Sequence, residues 1–251
     1  MTSILAFDRG RVRQPIASEV LRVNRSNHLA RGLVFAAIPG FNEAVTRTPG
    51  FPVGSSRITT YKNLRAMYSP SNGGDGWYWG IGPKAPLFDR FSAGNQFTIA
   101  SLAKIDTFGA WGMLTGVAYQ ASGWSSPYNS LAFKANSGTD YGRIEVTDSG
   151  GTNWGFAGFS GYLSSGETFM VTRDGNDCVW YANGAVYGSN SGAGTAIAAF
   201  PNQREVTVFT RCVDSPGEGH AGYCWGAFYW DRVLSAGEAQ RFYLNPWQVF
   251  A

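Results

Sequence analysis

The chain is poor in charge: Lys, Arg, Asp and Glu together make up 15% of its 251 residues, against roughly a quarter in an ordinary soluble protein. That scarcity excludes a coiled coil or a disordered tail, which are charge-rich. Cysteine is scarce as well. Cys178, Cys212 and Cys224 are all there is, with no CxxC pair, so a disulfide framework is not expected. Cys212 and Cys224 flank one hairpin loop symmetrically and form the single candidate bridge. Cys178 lies in a strand pattern as a small buried hydrophobe. The histidines are His28 and His220 alone, so no HxH or HExxH pattern signals zinc. No apolar run reaches the ~18 residues of a membrane helix. Met1 to Asp8 show no basic stretch before an apolar one, which predicts no secretory leader and synthesis in the cytoplasm.

Helix signals are nearly missing, and what replaces them is informative. Glycine is abundant at 33 residues, aromatics reach 15% and hydrophobics 44%. The glycines have no three-residue period, which excludes collagen. Instead, short apolar or alternating runs are cut by Gly, Asn, Asp, Ser and Pro at roughly 8–12-residue spacing, the pattern of an all-β sandwich or barrel. Leu33 to Ile38 is a first core strand. Residues 41–70 carry weaker signals and read as an excursion. In Gln96 to Ile105, period-2 alternation puts Phe97, Ile99, Ser101, Ala103 and Ile105 on one face. Further strands are predicted over 112–118, 130–134, 143–147, 169–173, 178–182, 185–189, 204–212 and 223–230. Asn183-Gly184 suits the positive φ of a type I′ hairpin turn. Ser235-Ala-Gly-Glu238 fits a capping box and predicts one helix, ending before Pro246. The spacing defines a basic arm over 1–27 and one domain over 28–251.

Charge is uneven. Residues 1–65 hold ten Lys or Arg against three Asp or Glu, and the remainder is net acidic. Such an arm can dock on an acidic partner surface. It has no Lys/Arg cluster and no recognition motif, so nucleic acid is not an expected partner.

The last third resembles the concanavalin A-like lectin/glucanase superfamily in its laminin-G-like branch. Three motifs carry the resemblance: Val171-Thr-Arg-Asp-Gly175 followed by Val179-Trp-Tyr-Ala-Asn-Gly184; Trp230-Asp-Arg-Val-Leu-Ser-Ala-Gly-Glu238; and Phe97-Thr-Ile-Ala-Ser-Leu-Ala-Lys104. It extends over roughly residues 29–245. The resemblance implies an all-β fold: a two-sheet antiparallel jelly-roll sandwich with one short C-terminal helix. More narrowly, Asn27 to Ala36 and Asn245-Pro-Trp-Gln-Val-Phe250 look like jelly-roll proteins of tailed bacteriophages and prophages, usually associated with the virion or tail. In one respect the chain departs from the family. The acidic pair that relatives carry before the helix falls here on Trp225-Gly226, which suggests a strand that is packed rather than ionised.

Superfamily glucanases place catalytic carboxylates on one strand face as E-x-D-x-x-E. No Glu here satisfies that spacing; Glu145 and Asp148 are three apart and fall on opposite faces. Catalysis is therefore not expected, and a glycoside hydrolase is the weakest of three readings. Sugar binding calls for aromatic faces beside Asp, Asn or Gly. Asp75, Trp77 and Trp79 form the best such group, with Trp124 and Trp154 as further loop aromatics, although tryptophans in a sandwich mostly fill the core. No cofactor is expected. Asp214 and Glu218 could contribute oxygens to a calcium site, but a solvated acidic loop explains them more simply. The leading expectation from the resemblance is a non-catalytic structural or accessory protein of a phage particle, located in the virion. It would contact other particle proteins and self-associate symmetrically. Its anchors would be Arg9, Arg11, Arg13 and Arg22 in the arm, with Trp247 and Phe250 at the other end. The alternative is an adhesin that binds host surface glycans.

Overall fold

A computed structural model of the chain describes residues 14–15, 21–81, 95–109, 112–118, 129–136, 141–147, 153–160, 167–191, 205–210 and 219–250. The turn residues between the apolar runs cut this part of the chain into short strands. In order these are β1 (Leu33–Ala37), β2 (Gly50–Val53), β3 (Arg57–Tyr61), β4 (Leu64–Ser69), β5 (Gly76–Gly80), β6 (Gln96–Thr107), β7 (Met113–Ala118) and β8 (Asn129–Asn136). Then come β9 (Tyr141–Thr147), β10 (Asn153–Ser160), β11 (Thr168–Asp174), β12 (Asp177–Ala182), β13 (Ala185–Asn190), β14 (Glu205–Val208) and β15 (Ala221–Trp230), followed by helix α1 (Ala236–Leu244). No described helix is long and apolar enough to cross a membrane.

The strands form two antiparallel sheets. One runs β13-β12-β11-β6-β15-β4-β3, with β1 also on β15; the other runs β10-β9-β8-β7-β14-β5-β2. The fold is the two-sheet jelly-roll sandwich with one short C-terminal helix that the sequence leads one to expect. Between the sheets, Phe97, Ile99 and Ala103 of β6 meet Trp77 and Trp79 of β5, Val206 of β14 and Leu131 of β8. Phe35 stands edge-on to Trp79 at 5.9 Å and to Tyr229 at 5.5 Å, a geometry that brings a positive ring edge against a negative face.

A second apolar layer covers the outer face of the eight-stranded sheet. Ala100, Leu102, Met170, Phe228 and Trp230 pack beneath Leu21, Leu29, Phe242, Trp247 and Phe250. This explains why β1 reads as an unbroken apolar run: all five of its residues are buried, as in any strand covered on both faces. It also bears on the C-terminal end, which the sequence leaves to pack either on its own sandwich or on a partner. Trp247 and Phe250 are 4% and 8% exposed and close this chain's own sheet, so neither is presented as a plug for a partner.

The two chain ends are tied together there. Asn24 N donates to Val249 O at 2.7 Å, Val23 forms a bridge with Phe250, and Asn27 Nδ2 donates to Gln248 Oε1 at 3.3 Å. Arg232 forks onto both carboxylate oxygens of Glu238, at 2.7 and 3.1 Å, and also donates to the carbonyls of Arg31 and His28. The capping box at Ser235 and Glu238 is formed. The family-like Arg232 to Glu238 motif is thus a structural clamp between the helix and the start of the domain. Burial works against the Glu238 carboxylate, but the Arg232 and Ser235 hydrogen bonds prevail and hold its pKa down at about 2. Within the arm, Gln14 pairs both ways with the Arg65 backbone, at 2.8 and 2.7 Å, and Arg22 is exposed. Arg9, Arg11 and Arg13 lie outside the described residues.

Three details differ from the sequence reading. The stretch 41–70 is not an excursion but holds β2, β3 and β4; β2 and β3 are short, largely exposed edge strands, β2 broken by Pro52 and β3 mostly polar, which weakens their signal. The strand expected over 204–212 is β14, which stops at Val208 because Phe209 turns to φ +60°. Cys224 is a free thiol facing the inter-sheet core, so the bridge with Cys212, itself outside the described residues, is not made.

The type I′ turn is present, with φ +50° at Asn183 and +77° at Gly184. Tertiary packing adds a second demand there. A Cβ on Gly184 would come within 2.7 Å of Tyr243 Cβ and 2.9 Å of Gln240 Cα on α1. Gly184→Ala is therefore expected to cost about 1–3 kcal/mol, more than the backbone preference alone. Urea unfolding checks it, and a loss below about 0.5 kcal/mol would mean that α1 tolerates displacement.

Candidate functional site

On the outer face of the eight-stranded sheet, beyond the reach of α1, side chains from four adjacent strands form an open cluster. Register decides its membership. Arg57 of β3 pairs with Tyr68 of β4, Tyr68 with Tyr223 of β15, and Tyr223 with Lys104 of β6. Tyr61, two places further along the same face of β3 than Thr59, completes it. The Tyr61 and Tyr223 rings stack at 4.2 Å with 21° between planes, and Tyr68 lies 4.9 Å from Tyr223. Trp225 is the floor, 1% exposed and 6.0 Å from Tyr61. Gly222 makes the approach of β15 to β6 feasible: at φ +149°, its Cβ would stand 2.2 Å from Lys104 O.

Cations surround the rings. The Arg57 guanidinium lies 4.8 Å from the Tyr68 centroid; Lys62 Nζ is 5.7 Å from Tyr61; Lys104 Nζ is 5.5 Å from Tyr61 and 6.0 Å from Tyr223. These are distances at which the ring quadrupole attracts a cation. Lys104 pairs with Asp106, and Lys62 with Glu167 at 3.5 Å. The Asp106 hydrogen bond raises the Lys104 pKa, against the opposing effect of burial. Burial, then Asp106 and the neighbouring phenols, raise that of Tyr223, with Lys104 opposing. The cluster brings together phenol hydroxyls, which both donate and accept, the Arg57, Lys62 and Lys104 donors, and the Asp106 side chain as acceptor.

The residues singled out from sequence lie elsewhere. Trp77 and Trp79 are 6% and 1% exposed; they point between the sheets and give no ring face to a sugar. Asp75 is a turn staple, its Oδ1 accepting from Ser55 N at 2.7 Å. Trp77 and Trp79 help line a cleft of about 200 Å³ between the β2 and β3 edges, together with Ile38, Phe41, Ile58 and Met67. Trp154 is in β10, in register with Val146 of β9. Trp124, Asp214 and Glu218 fall outside the described residues. Among the described residues, no three His, Cys, Asp or Glu side chains converge as metal ligands.

The tyrosine cluster was not legible in the sequence. Tyr61 and Tyr68 sit in the stretch whose strand signals are weak, and no local pattern joins them to Tyr223. The one available signal was the alternation Arg57-x-Thr59-x-Tyr61, which puts polar and aromatic residues on one strand face.

No family model matches the chain, and no curated protein matches it. Solved structures do. The binding domain of Paraclostridial Mosquitocidal Protein 1 superposes with a TM-score of 0.58 at 13% identity, covering 86% of this chain and 52% of that one. The binding domain of botulinum neurotoxin DC in complex with SialylT gives 0.59 at 7% identity, over 86% and 52%. The CBM40 of Ruminococcus gnavus IT-sialidase bound to α2,3 sialyllactose gives 0.54 at 16%, over 70% and 94%. The chain thus spans about half the length of the two toxin domains. At these identities the likeness is one of fold: a lectin-like sandwich.

Proposed function

We propose that the chain is a non-catalytic carbohydrate-binding module whose ligand docks on the cluster of Tyr61, Tyr68, Tyr223, Arg57, Lys62 and Lys104. The observation that carries this reading is the cluster itself. It is a patch of adjacent tyrosines and cations that, among the described residues, no element covers, on a sheet whose other half is sealed by α1 and the segments around Leu21 and Phe250. Polyhydroxylated ligands are bound through such paired donors and acceptors. Two structures of the same fold, described above, hold sialylated ligands, which supports the reading. Binding without turnover fits the charges: Asp106 is held by Lys104 and Glu167 by Lys62, so neither carboxyl is set up as the proton donor that glycoside cleavage requires.

The test is a screen of immobilised oligosaccharides with the wild-type chain and with Tyr61→Ala and Tyr223→Ala. The expected result is retention of at least one glycan, with about a tenfold or greater loss of affinity in each variant and an unchanged fold by circular dichroism. A screen with no retained glycan, or variants that bind as wild type does, would overturn the reading.

Attachment to a bacteriophage particle is a second reading, favoured by one observation. The two segments that look phage-like, Asn27 to Ala36 and Asn245 to Phe250, meet in space through the Asn27–Gln248 hydrogen bond. They gather at the Trp230 end of β15, while the tyrosine cluster stands at its Tyr223 end. A particle protein could use the first end for self-association or for other shell and tail proteins, and present the second outward. Mass spectrometry of purified virions tests this: stoichiometric copies support a virion location, and none would sink it.

A further inference from the structure

Resting on the carbohydrate-binding reading, we infer that the cluster selects anionic glycans, those carrying a carboxylate or a sulfate, over neutral ones. The geometry supplies two independent reasons. First, the rings are already engaged. Tyr61 and Tyr223 each turn one face to the other at 4.2 Å, Lys62 and Lys104 stand within 6.0 Å of those rings, and Arg57 lies 4.8 Å from the Tyr68 centroid. A sugar that approaches the rings therefore meets cations, and charge and hydrogen bonds carry more of the affinity than apolar stacking.

Second, the cations are unequally engaged. Lys104 and Lys62 each have a carboxylate partner. Arg57 is exposed, and among the described residues its recorded interaction is the Tyr68 ring alone. A guanidinium over an aromatic face keeps its in-plane N–H donors free, and they match the two oxygens of a carboxylate or sulfate bidentately. The phenol hydroxyls beside it are fixed at the spacing of the β4–β15 ladder and take the sugar's own hydroxyls. Asp106 works against this preference. It neutralises Lys104 and repels a second negative charge, so it tunes the site rather than building it.

The experiment compares three probes by calorimetry: lactose, sialyllactose and a sulfated lactose. Wild type should bind at least one anionic probe about tenfold tighter than lactose, and the preference should shrink between about 0.05 and about 0.5 M salt. Arg57→Gln should weaken the anionic probes about tenfold and lactose by clearly less, so that the preference disappears. Asp106→Asn should strengthen anionic binding severalfold, a gain that a purely structural role would not produce. The carboxylate and sulfate arms separate the two sources of charge. Equal binding of all three probes, indifferent to Arg57→Gln, would overturn the inference and leave the carbohydrate-binding reading standing. Binding of none of the three probes by wild type would overturn the inference, and the glycan screen above then decides the carbohydrate-binding reading itself. Anionic binding that survives Tyr223→Ala would place the charge-reading site elsewhere.

Discussion

Replacing Trp230 by alanine is expected to lower stability by about 3–5 kcal/mol, a fall in melting temperature of roughly 10 °C for a domain of this size. Trp230 is fully buried at the centre of the outer apolar layer. It stands edge-on to Phe242 of α1 at 5.2 Å and beside Phe228 at 6.0 Å. Its indole N–H also donates to Leu29 O at 2.7 Å. The substitution opens a cavity beneath the helix and leaves a buried carbonyl without its donor. Trp230→Phe separates the two effects: it keeps most of the packing, loses the hydrogen bond, and should cost about 1 kcal/mol. Thermal unfolding measures both. A drop of under about 3 °C for the alanine variant would mean that the clamp of helix and chain ends contributes little to the fold.

Acid is expected to destabilise the domain through His220. This side chain is fully buried and knots the open end of the sandwich. Gly109 N donates to its Nδ1 at 3.2 Å, and Phe108 and Phe209 face it edge-on at 5.8 and 5.9 Å. Gly112 is glycine because a Cβ there would stand 2.1 Å from the ring. Burial lowers the imidazole pKa to about 4, with the Gly112 backbone opposing. Since the folded pKa is depressed, the unfolded chain binds the proton first. Stability is complete above the unfolded value of about 6.5, declines at up to ~1.4 kcal/mol per pH unit, and has lost about 3 kcal/mol by pH ~4. Glu238, with its carboxylate held near 2, adds to the loss below its ordinary range. Glu43 acts in the opposite sense: burial outweighs its hydrogen bonds and raises its pKa, so its protonation favours the folded state as pH falls. His220→Phe isolates the imidazole. Urea unfolding across this pH range should show a shallower slope in the variant than in wild type, and equal slopes would refute the assignment.

Some features followed from the chain's own local chemistry. The period-2 alternation of Phe97 to Ile105, the positive-φ pair Asn183-Gly184 and the box at Ser235 and Glu238 are decided within a few residues, by side-chain direction, steric freedom and a reciprocal hydrogen bond. They were legible for that reason, and they sufficed for an all-β sandwich with one helix. Composition alone made an abundant aromatic core inevitable, but it could not say which aromatics would fill it. Trp77 and Trp79 looked like a binding pair beside a glycine-rich loop; pairing of β5 between β14 and β2 turned both inward. Trp247 and Phe250 are too apolar for a free tail, but the sequence leaves open whether they cover their own sandwich or a partner; the outer face of β15 and β6 supplies the surface they cover. The tyrosine cluster shows the converse. Arg57, Tyr68, Tyr223 and Lys104 are neighbours only because β3, β4, β15 and β6 lie side by side in that order. Such adjacency is a property of long-range strand pairing and leaves no mark on local sequence. The chain's sequence by itself determined the class of fold and its turns; the tertiary structure decided which side chains were left facing solvent to meet a ligand.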